Sequence, residues 1–315
     1  MRLLVTGGAG FIGSHLVEAL VHAGNEVRVM DDLSSGKLEH LAAVANDIDM
    51  MEADVRDLDA CARACAGVER VWHLGAIGSV PRSVADPLTV HDVNLTGTLN
   101  MLLAARDAGV RRFVFASSSA VYGENPRLPL EETECPMPMS PYANTKLSAE
   151  IYTEMFASLY GLETVALRYF NVYGPRQDPT SQYAAVVPKF LSALLSGERP
   201  VIYGDGEQSR AFIYVADCVH GNIQAGLQEG EGIVGDHFNI AAGQPVTVNR
   251  LLDVVQSALG TNVAPDYQPE RPGDIRHSDA AIGKAVTRLA FRPKWSIEDG
   301  IRETAAWFKQ WHGSG

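Results

Sequence analysis

Cysteine and positive charge are both scarce in this chain of 315 residues. Four cysteines occur, Cys61, Cys65, Cys135 and Cys218. That is too few for a disulfide-stapled scaffold, and nothing near Cys61 and Cys65 completes a zinc set. We expect a reduced, cytoplasmic protein without a bound metal. Lysine and arginine number 26 against 38 aspartates and glutamates, a net charge of −12. No basic block offsets that balance, which makes a nucleic-acid backbone a poor partner. A nucleotide stays open, because backbone amides and one or two arginines hold a diphosphate. No apolar run approaches the ~20 residues of a membrane span. No signal-peptide pattern precedes the apolar run Arg2–Thr6.

Apolar residues make up 46% and charged ones 20%, the balance of a packed globular protein. The length suits one large α/β unit with a second lobe. The run Arg2–Thr6 leads into TGGAGFIG and then a helical pattern from Ser14. Gly7, Gly10 and Gly13 fit G-x-x-G-x-x-G, and Gly8, Gly10 and Gly13 fit G-x-G-x-x-G. Strand, glycine turn and helix are the context in which a backbone approaches a pyrophosphate. A second strand ends in Asp31-Asp32, with Asp31 eighteen residues past Gly13. A carboxylate there hydrogen-bonds an adenosine ribose and repels a 2′-phosphate.

The alternation continues. Strand patterns at 48–51, 68–74, 112–116 and 164–168 are separated by helical ones, the longest at 91–108 and 142–160. Such βα repetition predicts a doubly wound parallel α/β sheet with ligand at the carboxyl ends of its strands, where Gly75, Ser117 to Ser119 and Asn171 fall. After Gly174 proline and glycine become frequent and helices shorten. This places a first domain at 1–173 and a second, mainly ligand-binding one at 174–315. Strands near 211–216 and 236–241 are expected to rejoin the first.

The stretch SPYANTK places Tyr142 and Lys146 one helical turn apart. A free phenol titrates near pKa ~10, so by itself it is a poor base at neutral pH. An ammonium beside it favours the phenolate. Alone, Tyr-x-x-x-Lys reads far more readily as a surface pair, and its context decides.

That context resembles the extended short-chain dehydrogenase/reductase family, and within it the nucleotide-sugar 4-epimerases. The likeness runs through TGGAGFIGSH, DDLSSG, ADVRD, ASSSAVYG, SPYANTK, LRYFNVYGPRQDP, VVPKF, GDGEQSRAFIYV and ERPGDIRHSD. It implies a Rossmann sheet with a smaller C-terminal α/β substrate domain, NAD as cofactor and a UDP-sugar as substrate. Tyr142 would be the general base, Lys146 its electrostatic partner and Ser118 the bridging hydroxyl. Carried over residue by residue, the cofactor would be held by Gly7, Gly10, Phe11, Ile12, Gly13, Asp31, Asp32 and Ser35. Asp54, Val55, Leu74, Gly75, Ala76, Asn94, Ser117, Tyr142, Lys146 and Tyr169 would complete that site. The substrate would meet Gly78, Ser79, Ser118, Ser119, Tyr142 and Asn171. Ala185, Val186, Tyr203, Arg210, Arg271, Asp274 and Ser278 would close around it. A homodimer through the helices at 91–108 and 142–160 is a further expectation, although core burial explains their apolar faces equally.

The implied reaction is C4 epimerisation by hydride abstraction, rotation of the keto sugar and hydride return. Sibling dehydratases carry an Asp-Glu pair after the catalytic hydroxyl, where this chain has Ser119 and Ala120. Uronate epimerases tend to have threonine after RYF and a cation in the next loop, where this chain has Asn171 and Asp178. A neutral hexose is therefore expected, with a UDP-uronic acid 4-epimerase as the alternative. Ser278 stands where galactose-restricted relatives often have tyrosine, which leaves room for an N-acetyl group that Ser79 could hydrogen-bond. Ala211 departs from the aspartate usual after Arg210. A net dehydrogenase and a non-catalytic NAD-binding regulator are the remaining readings; the complete Ser118, Tyr142 and Lys146 set argues against the second.

Overall fold

The computed structural model describes residues 1–178, 185–270 and 276–313. Six strands, β1 (Arg2–Thr6), β2 (Glu26–Asp31), β3 (Ile48–Glu52), β4 (Arg70–His73), β5 (Arg112–Ser118) and β6 (Glu163–Tyr169), join the strand Asp236–Ile240 in one sheet. Every pairing in it is parallel, in the order Asp236–Ile240, β6, β5, β4, β1, β2, β3. Both faces are covered, which is why β1 and β5 read as apolar runs rather than alternating ones. Thr6 pairs with Met30 and His73, His73 with Phe115, and Ser118 with Tyr169. β1, β2 and β4 therefore end within a residue of one another, and β5 and β6 run three residues further. The strand order reverses at β1, which opens a crevice between the loops after β1 and β4.

Helices fill the connections: α1 (Phe11–His22), α2 (Leu58–Cys65), α3 (Val80–Ala85), α4 (Pro87–His91), α5 (Gly97–Asp107) and α6 (Pro141–Tyr160). Beyond β6 come α7 (Val186–Leu195), α8 (Val215–Leu227), α9 (Val248–Leu259), α10 (Gly283–Arg288) and α11 (Ile297–Gly313). One face of the sheet packs on α1 and α8 through Leu16, Val17, Leu20, Cys218 and Ala225. The other packs on α2, α5 and α6 through Cys61, Ala64, Leu102, Ala105 and Phe156. A separate core joins α7, α9 and α11 through Phe190, Leu191, Leu251, Val255 and Phe308.

Two local expectations resolve differently. The helical stretch 91–108 is not one α-helix: Asp92–Thr96 forms a π turn between α4 and α5. Such turns recur at functional sites, and this one aims the Asn94 amide at the backbone of Ile77. The strand at Asp236–Ile240 takes the edge of the large sheet beside β6. The other C-terminal strand is only Ile213–Tyr214, which pairs with Val172–Tyr173 outside that sheet. α8 follows it directly and returns to the sheet, where the Trp72 indole donates to the Asn222 carbonyl at 2.8 Å.

Candidate functional site

A cleft of about 1210 Å3 runs along the carboxyl ends of the strands. One end is built almost wholly from backbone. Gly7 has φ +67°, and a Cβ on Gly13 would stand 2.1 Å from the Gly7 carbonyl oxygen. α1 therefore lies hard against the turn that precedes it. Its N-cap is Gly10, with no side chain to cap the first amides. Gly10, Phe11, Ile12 and Gly13 line the cleft, so the positive end of the helix faces it. Asp31 and Asp32 line it from the end of β2. Asp31 accepts from the Ala9 and Leu33 amides at 2.9 Å each. Burial nonetheless pushes its carboxyl above the usual range, against those two bonds. An uncapped helix start, a turn with no room for side chains and a pair of carboxylates fit a dinucleotide with free ribose hydroxyls. Ser35, Val55, Leu74, Gly75, Ala76, Ser117 and Tyr169 line the same space.

Two residues assigned to the cofactor by resemblance stand apart from this lining. Asp54 is held by Arg56, whose Nε donates at 2.9 Å, and this pair keeps the Asp54 carboxyl below its usual range. Asn94 is buried and spends its amide on other protein groups. Its oxygen accepts from Ile77 N at 2.7 Å, and its nitrogen donates to Ile77 O and to Thr145 Oγ1 at 3.2 Å each. It ties the loop after β4 to α6 instead of facing the cleft.

α6 brings the next group. Ser140 caps it by accepting from the Ala143 amide at 3.1 Å, and Pro141 occupies its first turn. Tyr142 then faces the end of β5, with its phenol beside the Ser118 hydroxyl. One turn on, Lys146 is 4% exposed and donates from Nζ to the Ala116 carbonyl at 2.8 Å. Burial raises the Tyr142 phenol, and the neighbouring Ser118 hydroxyl opposes that rise. Burial also brings the Lys146 ammonium down to about 7. In the chain alone Lys146 is directed at a carbonyl. A cation bound alongside would favour the phenolate.

The far end of the cleft is assembled from distant segments. Gly78, Ser79, Ser119, Asn171, Arg210 and Ser278 all line it. Asn171 is oriented by donating to the Ala211 carbonyl at 2.9 Å. Segments 209–211 and 276–278 are bridged: Ser278 N donates to Ser209 O at 2.9 Å, and His277 Nδ1 lies 2.9 Å from Ser209 Oγ. That bridge carries Arg210, His277 and Ser278 to one wall. Ala211 is fully buried beside Val121, Tyr122 and Phe170, where an apolar residue suits the surroundings. Asp178 lines the cleft as well. Among the described residues, Ala185, Val186 and Tyr203 do not line it: Ala185 caps α7, and the Tyr203 carbonyl accepts from Gln208. Arg271 and Asp274 lie outside the described residues.

The sequence did not point to Asn125, Leu128, His277, Trp307 or Trp311, all of which line the cleft. His277 adjoins Ser278 and could have been found from that neighbour. The two tryptophans, stacked at 6.3 Å between ring centroids on α11, carry no local signal linking them to residues three hundred positions away.

Comparison with known proteins agrees with this geometry. The profile of the NAD dependent epimerase/dehydratase family matches residues 3–241. A UDP-glucose 4-epimerase of Mycolicibacterium smegmatis is 39% identical over 98% of this chain and 99% of its own. The solved UDP-N-acetylglucosamine 4-epimerase of Methanobrevibacter ruminantium M1, in complex with UDP-N-acetylmuramic acid, is 44% identical, with a TM-score of 0.94 over 98% of both chains. The UDP-glucose 4-epimerase of Thermotoga maritima, solved with UDP-glucose, is 41% identical, with a TM-score of 0.93 over 99% of this chain and 100% of its own.

Proposed function

This chain belongs to the NAD dependent epimerase/dehydratase family, and from that premise and the cleft we propose that it epimerises a UDP-N-acetylhexosamine at C4. The coarser statement, an NAD-dependent UDP-sugar 4-epimerase, follows from relatives matched along the whole chain. NAD when bound supplies the acceptor, and later the donor, of a hydride at C4. The residues proposed to hold it are the first amides of α1, the carboxylates of Asp31 and Asp32, and Lys146.

In the proposed mechanism Tyr142, as phenolate, takes the proton of the sugar 4-hydroxyl while the C4–H bond yields its hydride. Ser118, between substrate and phenol, relays that hydrogen bond. The 4-keto sugar then turns its other face, takes hydride back at C4 and recovers a proton from Tyr142. No net oxidation results. Rotation within the cleft requires the uridine diphosphate to be held more firmly than the sugar, a task we assign to Asn171 and Arg210.

The observation that carries the choice of sugar is Ser278, a small side chain on the cleft wall at the position where tyrosine would fill the space. Incubating the purified protein with UDP-GlcNAc, and separately with UDP-Glc, without added NAD tests the reading by NMR. Faster conversion of the acetylated sugar supports it. Conversion of UDP-Glc alone overturns the sugar assignment, and conversion of neither, with NAD supplied, overturns the neutral hexose in favour of a UDP-uronate.

We also propose a homodimer through α6. Ile151, Met155 and Leu159 recur once per turn along it and remain 48%, 43% and 63% exposed, beside the exposed Val84 and Leu88 of α3 and α4. A stripe of this kind is what a second copy covers. Met155→Glu is expected to yield a monomer by sedimentation velocity.

A further inference from the structure

Three consecutive residues of β5 are each held by a successive turn of α6. The Tyr142 phenol lies beside the Ser118 hydroxyl, and Lys146 donates to the Ala116 carbonyl. Between them in sequence, Ser117 Oγ donates to Glu150 Oε2 at 2.7 Å. The first two contacts serve the reaction proposed above; the third commits the hydroxyl of Ser117, assigned to the cofactor by resemblance, to a protein carboxylate instead.

Glu150 and Arg168 are each 2% exposed. Arg168 is the cross-strand partner of Ser117, and its Nε donates to Glu150 Oε2 at 3.1 Å while Nη2 donates to Oε1. A buried ion pair is weak evidence for stability, since desolvation offsets its attraction. Its location is more informative. The Arg168 guanidinium lies 4.7 Å from the Tyr122 ring centroid, and Tyr122 Oη donates to Asn239 Oδ1 at 2.7 Å. Asn239 Nδ2 donates to the carbonyls of Leu130 at 2.9 Å and Ala281 at 3.1 Å. Leu130 N donates to Asp279 O at 2.9 Å, next to Ser278. One buried polar chain therefore runs from the third turn of α6 to the wall that faces the sugar.

We propose that Glu150 and Ser117 are positioning residues: they hold α6 against the end of β5, so that the hydroxyls of Tyr142 and Ser118, which ride on different elements, stay within bonding distance. This rests on the role assigned to those two hydroxyls above. Lys146 cannot supply that hold alone, because the same ammonium is needed at the cofactor.

Ser117→Ala, Ser117→Thr and Glu150→Gln test it. Displacement of a reacting group by about 1 Å costs up to ~100-fold in rate, so Ser117→Ala is expected to lower kcat roughly ten- to a hundredfold. KM and bound NAD per chain should stay as in the parent, and Ser117→Thr should restore kcat to within about threefold. Glu150→Gln, which leaves Arg168 unbalanced, should change kcat in the same direction; should it not fold, the serine pair decides. A second readout needs no turnover: phenolate absorbance of each variant measured against its Tyr142→Phe counterpart. Weakening the Ser118 bond should move the Tyr142 ionisation to higher pH in Ser117→Ala. The charged and titratable groups around Glu150, namely Arg168, His237 and Glu154, are unaltered by that change. An unshifted ionisation, an unchanged kcat, or a threonine variant no better than alanine overturns the inference. A parent enzyme inert on every UDP-sugar overturns the function instead, and leaves the ionisation shift to judge the positioning.

Discussion

The two ends of the cleft are made in different ways. The dinucleotide end is founded on one stretch, from Gly7 through Asp32, of backbone, glycines, a helix start and two carboxylates, to which Val55, Leu74, Gly75 and Tyr169 add lining. The sugar end draws Ser79, Ser119, Asn125, Asn171, Arg210 and Ser278 from segments up to two hundred residues apart. Its shape depends on the bridge between 209–211 and 276–278 and on the staple of Leu130 to Asp279. A site of the first kind tolerates no side chain where glycine stands. A site of the second kind can alter its preference at one position without disturbing the rest, because no single side chain there sets the path of the backbone.

The largest effect expected from this contrast is at Gly13. Its Cβ would meet the Gly7 oxygen at 2.1 Å and Gly8 Cα at 2.8 Å, both backbone, so the turn would have to open. Gly13→Ala is expected to lose bound NAD and detectable activity, and to cost about 2 kcal/mol in urea unfolding. NAD content after gel filtration is the measurement; normal content would break the claim that close backbone approach makes this end.

Ser278→Tyr is expected to act at the other end alone. The ratio of kcat/KM for UDP-GlcNAc over UDP-Glc should fall by at least about tenfold, with NAD content and thermal midpoint unchanged. Equal loss on both sugars would show that this wall is not modular.

A further effect concerns acid, and it too separates the two ends. Burial lowers His73, at the end of β4, to about 3, and His15, on α1, to about 4, from an ordinary 6.5. Both lie at the dinucleotide end. Groups depressed in the folded state contribute stability that is complete above pH 6.5, declines as pH drops below it, and is fully lost once pH has fallen through about 4 for His15 and about 3 for His73. Each contributes a slope of at most about 1.4 kcal/mol per pH unit. Urea unfolding at pH 7 and pH 4.5 should show the loss, and His73→Gln, whose amide can still bond Thr6 and Thr98, should lessen it. An identical pH dependence in that variant would count against the assignment.

What was legible in the sequence follows the same division. Gly7, Gly13, Asp31, Tyr142 and Lys146 could be read because each motif is short and contiguous, and because helix and strand periods place its members together. Ser118 was legible only through resemblance. Asn94 was placed at the cofactor, but a π turn directs its amide to Ile77. Asp54 was placed there too, and Arg56 two residues on captures it. His277, Trp307 and Trp311 were missed because nothing local marks them as cleft residues.

The sequence by itself determined the parallel α/β sheet, the glycine turn and the helix that carries tyrosine and lysine. Each of these follows from apolar periodicity and backbone freedom within a few tens of residues. Tertiary structure alone decided that Glu150 meets both Ser117 and Arg168, that burial raises the Tyr142 phenol, and that Ser278 stands on the cleft wall. Those outcomes depend on strand register and on desolvation, which arise only when distant segments exclude water from one another.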